Sequence, residues 1–330
     1  MAQKTIAIVG GGNSSEAEIS VKSAFNLKSM LADSDFLIHV VFIQENVWVV
    51  KDETGDISIN KSDFSFEKNG KKICFDCVYL TIHGTPGEDG RLQSYFELIG
   101  IPYTSCNVFT SALTFNKFAT KSFLKEYNIK TADAILIRKN DTIDSNQITK
   151  RLGLPCFVKP NNGGSSFGVT KVNATDQIQA AVSKALEEDS EVIIESFLKG
   201  IELTNGAYKT GASIEVLPIT EIRSENDFFD YDAKYKGKSK EITPAELSEE
   251  LTKKCKDLTR NIYNALDCFG LARVDYILSE NEFFFLEINT TPGLSPASII
   301  PQQIRAAGYK EKDVFSKIIN EAITQKKEVK

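Results

Sequence analysis

The stretch FFFLEINTTPGLSPAS, Phe283 to Ser298, decides how this chain of 330 residues is organised. Its four leading apolar residues predict a buried strand, which a Pro-Gly pair ends. Strand side chains alternate between two faces, so Glu287 and Asn289 point the same way. Leu286 and Ile288 are expected to point into the core. The strand therefore delivers two oxygen-bearing side chains to its end.

A second strand is predicted just upstream, in LARVDYIL, Leu271 to Leu278. Only SENE separates the two strands, which predicts a hairpin. A register with a three-residue loop places Asp275 opposite Glu287, with Arg273 on the same face. Three hard oxygen ligands and one arginine suit Mg²⁺ carrying the phosphates of a nucleotide. A surface hairpin with a solvated polar face remains the alternative.

The composition is that of an ordinary globular protein, with 42% hydrophobic and 25% charged residues, long enough for two or three domains. A net charge of −6 and the lack of a strongly basic segment argue against nucleic-acid binding. No apolar run suits a signal peptide or a membrane span, so a cytoplasmic protein is expected. The six cysteines are expected as reduced thiols, because Cys74-x-x-Cys77 lacks a second ligand pair. Two histidines exclude a multi-histidine metal site.

The amino terminus has the opening of a doubly wound α/β domain. KTIAIVG, Lys4 to Gly10, predicts a buried strand running into a glycine turn and a helix start. Gly12 is followed by Ser15 where a dinucleotide fingerprint needs its third glycine, so that interpretation is rejected. Glu16 is predicted at a helix N-terminus, where it either caps the helix or holds a ligand amine.

A second polar motif, HGTPGEDGRLQ (His83 to Gln93), follows the predicted strand CVYLTIHG. A histidine, glycines, two acids and an arginine at the carboxyl end of a strand lie where α/β folds place ligands. A turn followed by a helix cap would look the same.

The rest of the chain predicts further elements. Phe109 to Tyr127 has a helical pattern, and Ala245 to Asp267 predicts an amphipathic helix. Between them, AILIRK, PCFVKP and EVIIESF predict strands, and DQIQAAVSKALEED predicts a helix.

A glycine-rich segment, NNGGSSFGVTKV (Asn161 to Val172), follows Lys159. Its backbone N–H groups and hydroxyls can close over phosphate oxygens, although it is not a Walker A loop. A flexible hairpin loop is the alternative. The aromatic and lysine-rich segment from Arg223 to Pro244 has no clean period, which is typical of a functional lid or a disordered loop.

Six motifs in order resemble the ATP-grasp ligases, and within them the branch that joins two D-alanines. The resemblance implies an α/β fold, α+β in its C-terminal part, with an N-terminal doubly wound domain followed by a two-part ATP-grasp fold. It implies units at 1–106, 107–194 and 195–330, with the lid at 223–244. The motifs are GGNSSEAEIS (11–20), HGTPGEDGRLQ (83–93), VKP with GGSSFGVTKV (158–172), DYDAKY (230–235), RVD (273–275) and EINTTPGLSPAS (287–298).

The same resemblance implies roles for individual residues. ATP would be bound by Lys117, Lys159, Ser166, Glu195, Ser196, Phe197, Leu198, Glu202 and Lys234. Two Mg²⁺ or Mn²⁺ ions would be bound by Asp275, Glu287 and Asn289. D-Alanine would be bound by Glu16, His83, Arg273, Gly293, Ser298 and Ile299. Catalysis would depend on Glu16, Ser165, Tyr235, Arg273 and Ser298.

The implied reaction supplies peptidoglycan precursors: a D-alanyl phosphate forms from ATP and is attacked by a second D-alanine. No enzyme nucleophile is required, in agreement with the absence of a Ser/His/Asp or Cys/His set. The family also implies a homodimer. Two departures, FNK at 115–117 and LTNGAYK after Glu202, leave the charged residues in place. Tyr235 favours an amine acceptor over D-lactate. A D-lactate or D-serine ligase, another carboxylate-amine ligase and a non-catalytic nucleotide-binding module remain alternatives.

Overall fold

A computed structural model of the chain describes residues 3–164, 167–224 and 239–328. The strands are β1 (Lys4–Gly11), β2 (Phe36–Gln44), β3 (Val47–Asp52), β4 (Gly55–Ser58), β5 (Phe66–Lys68), β6 (Lys71–Ile73), β7 (Cys77–Leu80), β8 (Ala134–Arg138), β9 (Cys156–Pro160), β10 (Thr170–Val172), β11 (Glu191–Ser196), β12 (Ile201–Thr210), β13 (Ser213–Ser224), β14 (Ser239–Ile242), β15 (Leu271–Ser279) and β16 (Glu282–Asn289). The helices are α1 (Ala17–Met30), α2 (Arg91–Ile99), α3 (Val108–Phe115), α4 (Lys117–Lys125), α5 (Ser145–Leu152), α6 (Ile178–Ala185), α7 (Glu249–Ala265), α8 (Ile299–Ala306) and α9 (Glu311–Glu328).

The first sheet has the order β4-β3-β2-β1-β7. β1 pairs in parallel with β2 and β7, whereas β3 and β4 add an antiparallel edge. This confirms the predicted α/β opening of the chain. The polar stretch from Lys51 to Lys72 also contributes strands, because Phe64 and Phe66 are buried in the core on one side of this sheet.

The second sheet is antiparallel, in the order β10-β9-β11-β8. Its core contains Ile148 of α5 and Val182 of α6, packed with strand residues such as Val158 and Ile194. The predicted strands AILIR, CFVKP and EVIIES are confirmed. Helix α5 was not predicted, because it is short and only Ile148 and Leu152 in it are buried.

The helical stretch predicted from Phe109 to Tyr127 is two helices, α3 and α4. Asn116 separates them, and its side chain accepts a hydrogen bond from the Ala119 N–H as the N-cap of α4. Leu124 of α4 packs in one core with residues of β15 and β16. The division into three units stays a prediction.

The third sheet, in the order β14-β13-β12-β15-β16, contains the predicted hairpin. Asp275 is paired with Glu287 as predicted, but the loop has two residues, Glu280 and Asn281, both with positive φ. A bulge in β16 then shifts the register by one residue and restores the predicted pairing. The bulge also turns Leu286 away from the core, so its predicted burial was wrong: it is half-buried and lines a cleft.

The C-terminal helices join the first and third sheets. Phe315 and Ile319 of α9 share a core with Ile6 and Ile8 of β1 and with Tyr208 of β12. The predicted helix at 245–267 is α7, which buries Ile262 in the core shared with the third sheet. The two ends of the predicted lid at 223–244 lie in β13 and β14, which pair with each other. Residues 225–238 of this segment lie outside the described part of the chain.

All six cysteines are free thiols, and only Cys74 is exposed. Within residues 3–164, 167–224 and 239–328, no helix has the length and apolar character needed to cross a membrane.

Candidate active site

A cleft of about 960 Å³ lies between the second and third sheets and the loops that follow β1 and β7. A small second cavity is lined by Glu88, Glu287 and Asn289. Lys117 and Glu287 line both spaces, so the two are adjacent. The residues with predicted roles that line the main cleft are Glu16, Lys117, Lys159, Glu195, Ser196, Phe197, Leu198, Glu202 and Glu287.

Four residues with predicted roles, Ser165, Ser166, Lys234 and Tyr235, lie outside the described residues. Seven others, namely His83, Arg273, Asp275, Asn289, Gly293, Ser298 and Ile299, do not line the main cleft. Their surroundings are described below, and the roles stay predictions.

One end of the cleft is aromatic. The rings of Phe157 and Phe197 lie 6.0 Å apart at 47°, and the Lys171 ammonium lies 5.3 Å from the centre of the Phe197 ring. The connector from β11 to β12 is fixed by its backbone, because the Ser196 N–H donates to the Asp133 carbonyl. The Ser196 hydroxyl donates to the Leu152 carbonyl at 2.9 Å. Together with the carboxylates of Glu195 and Glu202, this end offers a flat apolar surface with acceptors at its edge.

Three buried charges lie beneath that end of the cleft. The Lys159 Nζ is 2.5 Å from Glu195 Oε2, and the Lys121 Nζ pairs with Glu195 Oε1. Burial works against the charge of Glu195, but the two lysines outweigh burial and hold its pKa below the usual range. Burial also opposes the charge of Lys159, whereas Glu195 and Glu287 together raise its pKa. Glu195 is therefore a carboxylate and Lys159 an ammonium.

Lys117 reaches the cleft from the start of α4. Its Nζ donates to the Gly163 carbonyl at 2.5 Å. Asn161, fully buried, fixes this helix start: its side-chain oxygen accepts from the Phe118 N–H, and its amide donates to Glu191. Two lysines, from α4 and β9, thus face the same space beside the glycine-rich loop, as a phosphate chain would require.

Glu16 also lines the cleft, beneath the glycine-rich loop. It is 7% exposed and stands at the N-cap of α1, yet its side chain makes no capping hydrogen bond. The turn before it needs glycine at Gly11 and Gly12, with φ of 106° and 103°. A Cβ on Gly164 would lie 2.7 Å from Glu16 Oε2, so the glycine-rich loop passes directly over this carboxylate. The arrangement does not fit a capping acid.

His83 lies close to Glu16, outside the main cleft. It is 7% exposed, and its pKa is lowered chiefly by burial, with Arg273 acting in the same direction and Glu16 opposing it. Its carbonyl accepts a hydrogen bond from the Ser14 hydroxyl. The imidazole is therefore neutral near pH 7 and adds no charge beside Glu16.

Glu88, in the same motif as His83, had no predicted role. Its carboxylate accepts a hydrogen bond from the Gly84 N–H at 2.7 Å. Burial, reinforced by the charge of Glu16, raises the Glu88 pKa to about 7, although hydrogen bonds from Gly84 and Thr291 oppose the rise. The quoted motif contained this acid, but only the fold shows that it is half-buried beside a second carboxylate.

The polar face of the hairpin is closely hydrogen-bonded. Arg273 donates to both oxygens of Asp275, from Nε at 2.9 Å and from Nη2 at 2.8 Å. Asp275, 5% exposed, also accepts from the Thr204 hydroxyl at 2.5 Å and from the Asn289 amide at 3.3 Å. Thr204 lies opposite Asp275 on β12 and could not be found from the sequence around either residue. With Glu287 paired to Asp275, three hard oxygen donors share one face, which fits a divalent cation.

The turn after β16 is attached to α1. The Leu294 N–H donates to the Ser23 hydroxyl, and the Asn26 amide donates to the Leu294 carbonyl. A Cβ on Gly293 would lie 3.0 Å from the Ser298 hydroxyl oxygen, so this glycine and this serine are neighbours. Ser298 is the N-cap residue of α8, and Ile299 is buried. The turn thus stands next to the element that carries Glu16.

The fold and this cleft define an ATP-grasp enzyme, and comparison with known proteins narrows the class. Residues 5–106 match the family model described as the D-ala D-ala ligase N-terminus, and residues 123–320 match the D-ala D-ala ligase C-terminus. The chain is 51% identical to the D-alanine–D-alanine ligase of Phocaeicola vulgatus over 96% of this chain and 98% of that protein. The chain belongs to the D-alanine–D-alanine ligase family.

Solved structures agree with this assignment. The D-alanine–D-alanine ligase of Bacillus anthracis complexed with ATP superposes with a TM-score of 0.79 and 29% identity, over 99% of this chain and all of that one. The VanG D-Ala:D-Ser ligase of Enterococcus faecalis superposes with a TM-score of 0.84 and 30% identity, over 98% of this chain and all of that one. The two relatives differ in the second substrate named for them.

Proposed function

We propose that this chain joins two molecules of D-alanine, with cleavage of ATP to ADP and phosphate, through a D-alanyl phosphate. The chain is an enzyme of the D-alanine–D-alanine ligase family, and it uses ATP. The observation that carries the stepwise proposal is one cleft lined by two lysines, by the aromatic pair Phe157 and Phe197, and by Glu16. A nucleotide phosphate chain and an amino-acid ammonium can occupy this cleft together, next to each other.

The first step is proposed between D-alanine and ATP. Glu16 pairs with the D-alanine ammonium and so directs the substrate carboxylate towards the lysines. A carboxylate oxygen attacks the γ-phosphorus, the bond to the β–γ bridging oxygen breaks, and ADP leaves. Lys117 and Lys159 stabilise the phosphate charge, and the Glu195 to Leu198 connector holds the base.

The second step is proposed between the acyl phosphate and a second D-alanine. Its neutral amine forms a bond to the carbonyl carbon, phosphate leaves with the electrons of the C–O bond, and the proton lost from the amine nitrogen goes to the departing phosphate. Arg273 is proposed to stabilise charge at this centre, and its guanidinium plane is fixed by two hydrogen bonds to Asp275. Gly293, Ser298 and Ile299, on the turn next to α1, are proposed to receive the second substrate.

The family implies divalent cations, and the donor set fits them. Asp275, Glu287 and Asn289 would hold Mg²⁺ or Mn²⁺, which when bound neutralises charge on the transferring phosphate. Two ions, as the family implies, are part of the proposal. Thr204 keeps Asp275 in place whether or not a cation is bound.

A phosphate-release assay tests the reaction. Release is expected only when ATP, Mg²⁺ and D-alanine are all present, and L-alanine in place of D-alanine serves as the control. Mass analysis of the product should show the dipeptide. ATP turnover that does not depend on D-alanine would contradict the proposal.

The second substrate has a specific competitor. The similarity to a D-Ala:D-Ser ligase keeps D-serine open as an acceptor, and the sequence motifs alone do not separate D-alanine from D-serine. A competition between D-alanine, D-serine and D-lactate, with products identified by mass, decides it. We expect the alanyl-alanine product to dominate, and a dominant mixed product would reassign the enzyme within its family.

The remaining parts of the proposal concern the whole molecule. A cytoplasmic location is proposed because the reaction consumes ATP. A homodimer is proposed from the family resemblance, and light scattering in solution tests it. A single monomer mass over the working concentration range would contradict the dimer.

A further inference from the structure

One buried lysine has no role in the proposed mechanism. Lys121 lies in the middle of α4, with a side chain that is 3% exposed. It does not line the cleft, whereas its partner Glu195 and the second lysine, Lys159, both do. Lys121 thus approaches the Glu195 carboxylate from behind, and Lys159 approaches it from the side of the cleft.

The burial of this charge calls for a compensating function. Burial of a charged lysine normally destabilises the folded protein. Burial also lowers the Lys121 pKa, and the charge of Glu195 opposes that effect. An apolar residue of similar volume would fill the same space beneath the second and third sheets. Because a carboxylate and an amine at ion-pair distance need a proton between them, Lys121 serves Glu195 as a donor.

Lys159 alone could not neutralise the charge of Glu195 at all stages of the reaction. In the described structure its Nζ lies 2.5 Å from Glu195 Oε2, yet the proposed function requires the same ammonium at the phosphates. With Lys159 as its only partner, Glu195 would be left as an unpaired buried carboxylate whenever Lys159 turned to the nucleotide. Lys121 removes this conflict, because its ion pair does not face the cleft.

We propose that Lys121 is a positioning residue, a permanent counter-ion that keeps Glu195 an ionised acceptor for the base and leaves Lys159 available to the phosphates. The inference rests on the proposed ATP site. An ionised carboxylate only accepts hydrogen bonds, so it favours the 6-amino group of adenine, a donor, over the 6-oxo group of hypoxanthine, an acceptor. Lys121 therefore contributes to selection of ATP over ITP without touching either.

The test compares Lys121→Met with Lys125→Met. Lys125 lies one turn further along α4 and is exposed, so it is a matched control for the same substitution. In Lys121→Met the ratio of kcat/KM for ATP to that for ITP should fall about tenfold or more, because a charge-assisted contact is disturbed. The KM for ATP should rise, the KM for D-alanine should stay unchanged, and Lys125→Met should match the wild type. An unchanged ATP/ITP ratio in folded Lys121→Met would overturn the inference.

A second variant covers the case in which Lys121→Met does not fold. Lys121→Met combined with Glu195→Gln removes the buried carboxylate together with its counter-ion, so the double variant should unfold at a higher temperature than Lys121→Met alone. If it does not, Lys121 is not the counter-ion of Glu195 and the inference fails. Protection of the wild type from thermal unfolding by ATP and by ITP is measured in parallel. A wild type that selects ATP but shows no D-alanine-dependent phosphate release would contradict the proposed reaction and leave this inference intact.

Discussion

Replacing Glu88 by Gln should make the protein more stable at alkaline pH and change little at acid pH. Gln has nearly the same shape and keeps a carbonyl oxygen to accept the hydrogen bond from the Gly84 N–H. It cannot ionise. The substitution therefore removes the one feature that makes Glu88 costly, namely a buried negative charge beside that of Glu16.

The magnitude follows from the pKa. Burial raises the Glu88 pKa from 4.5 to about 7 in the folded protein. At about 1.4 kcal/mol per pH unit, this corresponds to about 3 kcal/mol. The folded pKa is the higher one, so the stabilising contribution is complete below pH 4.5 and is lost as pH rises towards about 7. Because part of the side chain reaches the second cavity, about 3 kcal/mol is an upper value.

Urea unfolding at about pH 5 and about pH 8 measures the effect as a change in the free energy of unfolding. Glu53→Gln is the control, because Glu53 is exposed in the turn between β3 and β4. The gain of Glu88→Gln over the wild type should be small at the lower pH and approach the upper value at the higher pH. An equal difference at both pH values would refute the assignment of a buried titrating carboxyl to Glu88.

Four further substitutions test the site. Gly164→Ala places a methyl group 2.7 Å from the Glu16 oxygen, so the KM for D-alanine should rise while the KM for ATP changes little, as initial-rate kinetics can show. Thr204→Val removes the hydroxyl donor to Asp275 without leaving a cavity, and the Mg²⁺ concentration for half-maximal turnover, or for half-maximal protection from thermal unfolding, should rise about tenfold. Asp275→Asn and Glu287→Gln should each lower turnover about 100-fold or more with an unchanged circular dichroism spectrum; near-normal turnover in both would contradict the metal assignment.

The hairpin shows how far the sequence could predict this site. Alternation of side chains was enough to pair Asp275 with Glu287. It was not enough to find the two-residue turn, because Glu280 and Asn281 are not the Asn-Gly pair that usually marks such a turn. The bulge that corrects the register could not be predicted from alternation either. Because the bulge was not predicted, the position of Leu286 in the cleft was not predicted.

Residues that act through a partner were the least predictable. Lys121 and Glu195 are far apart in the sequence, on α4 and β11, and neither segment alone indicates their ion pair. Thr204 and Asp275 likewise meet only because β12 and β15 pair. Motifs identify residues that a ligand would touch, whereas the residues that hold those in place depend on the packing of distant elements.

The carboxyl groups around the cleft are stabilised in three different ways. The difference predicts which of them causes a pH dependence of turnover. Glu195 is held ionised by two lysines, whereas Asp275 is paired with Arg273 and accepts a hydrogen bond from the Thr204 hydroxyl. Glu88 has no such cation among its described contacts and is accommodated by binding a proton near pH 7. His83 is already neutral there, because burial lowers its pKa. A change in turnover centred near pH 7 should therefore come from Glu88, and the pH profile of Glu88→Gln should be flat in this range. If Glu88→Gln keeps the pH profile of the wild type, the titrating group is the substrate amine and not Glu88.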